Sequence, residues 1–262
     1  MPKTPISYYG GKLNMLKEIL PLIPEHRIFT ESFFGGGAVF FSKEPTESET
    51  INDTYNLAIV FYEQVKTNFD AVKTLVEATP FARKAYMKAK YVCEHANLYD
   101  KKYQAWAFYI ATNMGFSCQI GSWGYDKYGK RVKAFLNKKM SFNTNIVKRL
   151  EHAQIENNDA LQVIKSRDAV DAFHYVDPPY IDSNQGHYGG YTKTHYRDLL
   201  ETLSKVQGKF LLSSYPSKLL TKYSKKHGWY TKTFDKPLSA RKAVSGKSRG
   251  RKVEVLTANY PI

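Results

Sequence analysis

Four consecutive residues, Asp177-Pro178-Pro179-Tyr180, follow the apolar run 173–176, and their order suits one kind of chemistry. The exocyclic amine of a base is a poor nucleophile because its lone pair is delocalised into the ring. A catalyst must accept the amine's hydrogens and favour a pyramidal nitrogen. Asp177 can accept one such hydrogen bond, and the Pro178 carbonyl, kept out of strand pairing by Pro179, can accept another. Tyr180 then offers a flat surface to a base taken out of its stack. With proline near 5% of average composition, this tetrapeptide arises by chance in a chain of this length on the order of once in a thousand. The competing reading is a strand-end turn, where Asp and Pro are common.

A second group lies upstream. The run 28–33 reads as a strand and enters Gly35-Gly36-Gly37, where missing Cβ atoms let a ligand approach the backbone and positive φ is tolerated. Asp53 ends the next strand, at the spacing where an acid accepts the hydroxyls of a ribose. A helix cap before Thr54-Tyr55-Asn56 is the alternative role for Asp53.

The elements that must carry these residues follow from periodicity. Leu13, Leu16, Ile19 and Leu20 have helical spacing ending at Pro21. A helix is expected to open at Ala38-Val39-Phe40-Phe41, a strand to end at 51–53, and a helix to span 56–68. Residues 70–113 look helical throughout, whereas 114–145 mixes glycines with Trp123, Tyr125, Tyr128 and basic residues and reads as a long loop or hairpin lobe. Alternation then resumes, with strands at 154–156, 173–176 and 210–213, helices at 195–206 and 218–226, and strands near 230 and 253–256. The expected fold class is α/β, an open and mostly parallel sheet with a helical and loop segment inserted between its halves. Three parts are expected: 1–69, 70–145 and 146–262.

The 262 residues carry 39 Lys and Arg against 24 Asp and Glu, a formal net charge of +15, which points to a polyanionic partner. Twelve Lys or Arg lie in 218–252 against Asp235 alone, and eight lie in 127–149 with no acid. Both runs are candidate phosphate-contacting surfaces, although a charge run is commonly just a solvated face. The segment 182–193 carries Gly186, Gly189 and Gly190 and reads as a mobile loop beside the catalytic strand, with Tyr188 or Tyr191 near the base. Cys93 and Cys118 lack zinc or disulfide spacing, so no metal is expected and the compartment should be reducing cytoplasm. No signal-peptide core or membrane span is legible.

These residues together resemble the Dam-type, alpha-group family of DNA adenine methyltransferases over nearly the whole chain outside 70–145. Ser7-Tyr8-Tyr9-Gly10-Gly11-Lys12 is similar to the family's N-terminal motif, in which the aromatic and the lysine help hold the cofactor. Glu31-Ser32-Phe33-Phe34-Gly35-Gly36-Gly37-Ala38-Val39 resembles its glycine motif, Asp53 its ribose-binding acid, and Asn158-Asp159 the stretch at the cofactor adenine. Asp177, Pro178, Pro179 and Tyr180 match its catalytic motif in full. Residues 210–215 fall where a further sheet motif is expected, and 249–256 resemble its C-terminal arginine and glutamate segment.

The resemblance implies a Rossmann-like class I methyltransferase sheet, S-adenosylmethionine as cofactor, and transfer to the N6 amine of a flipped adenine in double-stranded DNA. It implies a prokaryotic or phage-type cytoplasmic enzyme, expected as a monomer, with a cognate restriction enzyme as an open partner. Target recognition lies between the cofactor and catalytic motifs. The DNA-contacting candidates are Trp123, Tyr125, Lys130, Arg131 and Lys133 in the insert, Tyr191 beside the catalytic strand, and Lys247, Arg249, Arg251 and Lys252 near the C-terminus. Relatives that read GATC carry an asparagine, arginine and proline-glycine pattern that 121–131 lacks, so the target sequence is not legible.

Three rival readings differ in class. A cytosine-ring methylase needs a nucleophilic cysteine, usually after proline, which neither Cys93 nor Cys118 provides. An amine methylase acting on cytosine or RNA shares the geometry, and a catalytically silent DNA-binding relative shares the fold. Intact Asp53, Asp177 and Tyr180 argue against silence.

Overall fold

The computed structural model describes residues 4–181, 190–237 and 251–262. Among them, seven strands form one sheet in the order β3-β2-β1-β4-β5-β7-β6: β1 Ile28–Glu31, β2 Ser48–Asn52, β3 Ala153–Glu156, β4 Ala172–Val176, β5 Lys209–Ser214, β6 Tyr230–Pro237 and β7 Arg251–Ala258. Strands β1 to β5 pair in parallel, and β7 runs antiparallel between β5 and β6. Successive residues of a strand face opposite sides, and both sides here are covered. Phe173, Tyr175 and Leu211 join one core, while Val176, Phe210 and Leu212 join the other.

The short α1 Leu16–Ile19 precedes the sheet, and α2 Asn56–Thr67 follows β2. The insert contributes α3 Phe69–Ala78, α4 Arg83–Glu94, α5 Lys101–Met114, α6 Lys130–Ser141 and α7 Thr144–Leu150. Every residue from Ala105 to Thr112 is buried, as expected for a helix apolar on all faces and therefore enclosed by others. Phe108 and Tyr109 meet Phe61 of α2, and Phe142 packs on Phe61, Phe69 and Tyr109. The insert thus shares one continuous core with the sheet. The opposite face carries α8 Ala160–Ser166, α9 Lys193–Leu203 and α10 Lys218–His227.

The α/β sheet and its inserted helices match the expected fold class, with two local differences. Residues 38–41 form turns instead of a helix. Phe40 N donates to Glu31 Oε2 at 2.8 Å, and the bonds Phe41 N to Gly37 O and Lys43 N to Val39 O do not extend into a regular ladder. Within 114–145, the expected loop contains the twelve-residue α6. Its start is fixed by Asp126, whose carboxylate accepts from the backbone N–H of Tyr128, Lys130 and Arg131, satisfying donors that a helix N-terminus leaves orphaned.

Candidate active site

The winding of the sheet reverses between β1 and β4: β2 and β3 extend one way from β1, and β5 extends the other way from β4. In open α/β sheets the crevice outside the C-terminal strand ends at such a switch point is the natural ligand site. The glycine turn follows β1, Asp53 follows β2, Asn157-Asn158-Asp159 follow β3 and Asp177 follows β4. The sheet therefore gathers onto one rim motifs that lie far apart in sequence.

Tyr8 lies across the glycine turn, where a Cβ on Gly35 would fall 2.8 Å from its ring and one on Gly36 2.9 Å from its side chain. Gly35 has φ +47° and Gly37 +62°, so the turn needs glycine for both space and conformation. Gly35 N donates to Asp53 Oδ2 at 2.7 Å, and Tyr55 N donates to Asp53 Oδ1 at 2.8 Å. Asp53 therefore shapes the turn as well as standing at its edge. The Phe34 ring, expected at the cofactor, is buried against Phe40, Phe41 and Tyr62. Its contribution at the rim is confined to backbone.

Two asparagines not singled out from sequence complete this half. Buried Asn52 donates to Ser32 O and Asn158 O and accepts from Asn158 N, while Asn157 donates to Asp53 O at 2.7 Å. Asp159 caps α8, accepting from Leu161 N and Gln162 N. Glu31, at the end of β1, accepts from Phe40 N. Burial, only partly offset by that bond, raises its carboxyl to about 8, so near neutral pH it is largely protonated.

The other half of the rim is built around Lys12. Its Nζ lies 2.7 Å from Asp177 Oδ1 and 4.8 Å from the centre of the Tyr180 ring, and it donates to Gly10 O. Lys12, named from sequence as a cofactor residue, thus lies against the Asp177–Tyr180 tetrapeptide. Burial raises the Asp177 carboxyl above the ordinary aspartate range, and the Lys12 charge and hydrogen bond oppose that rise. The Tyr180 hydroxyl donates to Glu254 Oε2 and shares a bond with Ser213 Oγ, each at 2.9 Å. The Tyr215 ring meets Tyr180 edge-on at 4.3 Å. Ser213, Tyr215 and Glu254 were legible only as parts of sheet segments, because nothing local signals contact with residue 180.

Several of the DNA candidates engage other residues of the chain. Trp123 packs on Phe81 and Tyr86, so its indole serves the insert's own packing. Arg131 turns back to donate to Gly115 O at 2.6 Å, closing the 115–124 loop, where the Gly115–Trp123 bridge also sits. Lys252 pairs with buried Glu254 at 2.5 Å, and Arg251 with Asp235 at 2.6 Å. Tyr125, Lys130 and Lys133 are exposed. Tyr191 packs edge-on against Phe33, 6.4 Å between ring centres. Lys247, Arg249, Gly186, Tyr188 and Gly189 lie outside the described residues. Sequence reasoning passed over Phe116, 57% exposed beside Ser117 and Cys118, both at positive φ. Non-glycine residues rarely adopt that conformation, and its strain of roughly 1–3 kcal/mol per residue tends to persist at functional loops.

Sheet order, the antiparallel β7 and the converging strand ends are those of a Rossmann-like methyltransferase fold. The family model for D12 class N6 adenine-specific DNA methyltransferases matches residues 8–236, and the chain belongs to that family. It is an adenine-specific DNA methyltransferase, and DNA is its substrate. No curated protein matches the chain. Among solved structures it is similar to a precorrin 8w decarboxylase from Methanobacterium thermoautotrophicum, at 8% identity, 98% of each chain covered and a TM-score of 0.41. Among the described residues, no helix is long and apolar enough to cross a membrane.

Proposed function

We propose that the chain methylates the N6 amine of an adenine turned out of double-stranded DNA, with S-adenosylmethionine as donor. The observation that carries this reading is the shared rim, where the glycine turn and Asp53 adjoin an Asp177 whose charge is balanced by Lys12. Tyr8, the backbone of 34–37, Asp53, Asn158 and Asp159 would hold the cofactor. The side-chain-free turn beneath Tyr8 and the acid bonded to its edge fit an adenosyl group. When bound, that group supplies an electrophilic methyl.

This chain's own residues do the rest. Asp177 and the Pro178 carbonyl accept the hydrogens of the target amine, freeing its lone pair, and fixed acceptors of this kind need no reorganisation during reaction. Pro179 keeps the Pro178 carbonyl out of strand pairing, and the Tyr180 ring packs against the base. The insert, 70–145, would read the target sequence, with Phe116 and Tyr125 among its exposed aromatics and Lys130 and Lys133 at phosphates. The remaining parts, 1–69 and 146–262, form the catalytic unit. We further propose that it acts as a monomer in prokaryotic or phage-type cytoplasm, with a restriction enzyme of the same target as its natural counterpart.

The test is transfer of labelled methyl from S-adenosylmethionine to adenine-containing duplex DNA, with cofactor affinity measured by calorimetry. Wild type should label N6, while Asp177→Ala should lose transfer and keep cofactor affinity. Undiminished turnover in Asp177→Ala would overturn the assignment.

A further inference from the structure

The basic C-terminal segment was expected to face phosphates, yet Lys252 faces inward. Glu254 is 1% exposed. Its Oε1 receives Lys252 Nζ at 2.5 Å and its Oε2 receives the Tyr180 hydroxyl at 2.9 Å. Lys252 Nζ also lies 5.7 Å from the centre of the Tyr215 ring, and the Tyr215 edge meets Tyr180 at 4.3 Å. Two side chains of β7 thus grip both members of the aromatic pair at the catalytic strand end. Burial alone would lower the Lys252 ammonium, but the Glu254 carboxylate holds it above its ordinary value.

We propose that Glu254 and Lys252 are positioning residues that set the orientation of the Tyr180 ring and thereby the surface presented to the target base. The inference rests on the reading of Tyr180 as the residue that packs against that base. A phenol held at one end by a hydrogen bond to a charged acceptor is fixed about twice as strongly as by a neutral one. The ring plane is then defined before DNA arrives. Lys252 pairs with the acceptor in a buried setting where an unpaired carboxylate would be costly. The pair acts through Tyr180 and touches neither substrate nor cofactor.

The test combines two readouts on the full chain. In protein labelled with ¹³C at the tyrosine hydroxyl-bearing carbon, the Tyr180 resonance is identified by its loss in Tyr180→Phe. Glu254→Gln and Lys252→Met should each shift it, and an unmoved resonance would overturn the proposal whatever the activity. In methylation of duplex DNA, Glu254→Gln and Tyr180→Phe should each lower kcat about tenfold with the KM for DNA unchanged. The double variant should be no slower than the worse single one, because residues acting through one hydrogen bond are non-additive. Rate reductions that multiply would show that Glu254 does not act through Tyr180. Lys252→Met supplies an independent check: if it leaves kcat intact and flattens the salt dependence of DNA binding by about one phosphate, Lys252 binds phosphate and the clamp is wrong. If Asp177→Ala retains full activity, the catalytic reading fails, while the resonance still decides whether Glu254 holds Tyr180. If Tyr180→Phe, which keeps the ring and loses only the hydroxyl, retains full activity, the positioning proposal fails.

Discussion

Asp177 illustrates how a single residue's environment sets its chemistry. Burial favours the neutral acid and the neighbouring Lys12 ammonium favours the carboxylate; the balance leaves the carboxyl raised from its ordinary value. The ionised form accepts at both oxygens, whereas the protonated acid spends one oxygen as a donor and is the weaker acceptor. The rate should therefore rise with pH through the Asp177 pKa, giving kcat/KM an acidic limb above the usual aspartate range. Removing Lys12 removes the opposing charge. Lys12→Met should move that limb to higher pH and lower the rate most at the acid end, as measured by kcat/KM profiles of both proteins. A limb that stays in place, or moves to lower pH, would show that Lys12 does not tune Asp177.

At the level of elements, the insert must be anchored if a loop on it is to meet a base held by the sheet. The anchor on the α7 side is Arg149, buried and stacked 3.5 Å over the Phe40 ring. It forks onto Glu49 of β2, with Nη2 at 3.0 Å from Oε1 and Nη1 on Oε2, and Lys43 reaches the same carboxylate at 2.6 Å. Burial would raise the Glu49 carboxyl, but the bonds from Arg149 and Lys43 hold it below its ordinary value. Its stabilisation is therefore complete above the unfolded glutamate pKa and lost as pH falls through the lower folded value. Arg149→Met should cost about 3 kcal/mol, the low end for a broken buried pair because Lys43 stays on Glu49. Urea denaturation at neutral pH measures this, and a cost under about 1 kcal/mol would mark the pair as dispensable. A second anchor joins the insert to the N-terminal segment that carries Lys12. Lys138 of α6 donates to Thr4 O and Ile6 O, and Ser7 N donates to Asn113 at the end of α5.

Over the whole molecule, positive charge is abundant, but much of it is used internally. Of the eight basic residues in 127–149, Arg131, Lys138, Lys139 and Arg149 bond to backbone carbonyls or buried carboxylate. Lys127, Lys130, Lys133 and Lys148 are exposed. The exposed set should carry the electrostatic attraction to DNA. Lys130→Gln with Lys133→Gln should weaken binding on all sequences alike and flatten the salt dependence by about 0.9 for each phosphate no longer neutralised. Replacing the 115–125 loop should instead change which sites are methylated, since hydrogen bonds to base edges discriminate by about 1–3 kcal/mol each. Methylation of a randomised duplex library compares the two. A loop variant whose activity falls evenly across sites would return the loop to a purely structural role.

The sequence by itself determined the reaction family and the order of elements, because short runs carry both. Asp177-Pro178-Pro179-Tyr180, the triple glycine and the alternation of apolar runs are local patterns, and local stereochemistry dictates strand, turn and helix. It also made the helical character of 56–68 and 70–113 readable from apolar spacing. It did not reveal the start of α6, where Asp126 caps a helix whose sequence mixes glycine and charge upstream. Nor could it show which cations face water: the inward turns of Arg131, Lys138 and Lys252 depend on carbonyls and carboxylates distant in sequence or on the far side of a turn. The Lys12 to Asp177 pair spans most of the chain, and the hold of Glu254 on Tyr180 exists only because antiparallel β7 lies beside β5. Such pairings are fixed by sheet register and helix packing, and no periodicity along the chain encodes them.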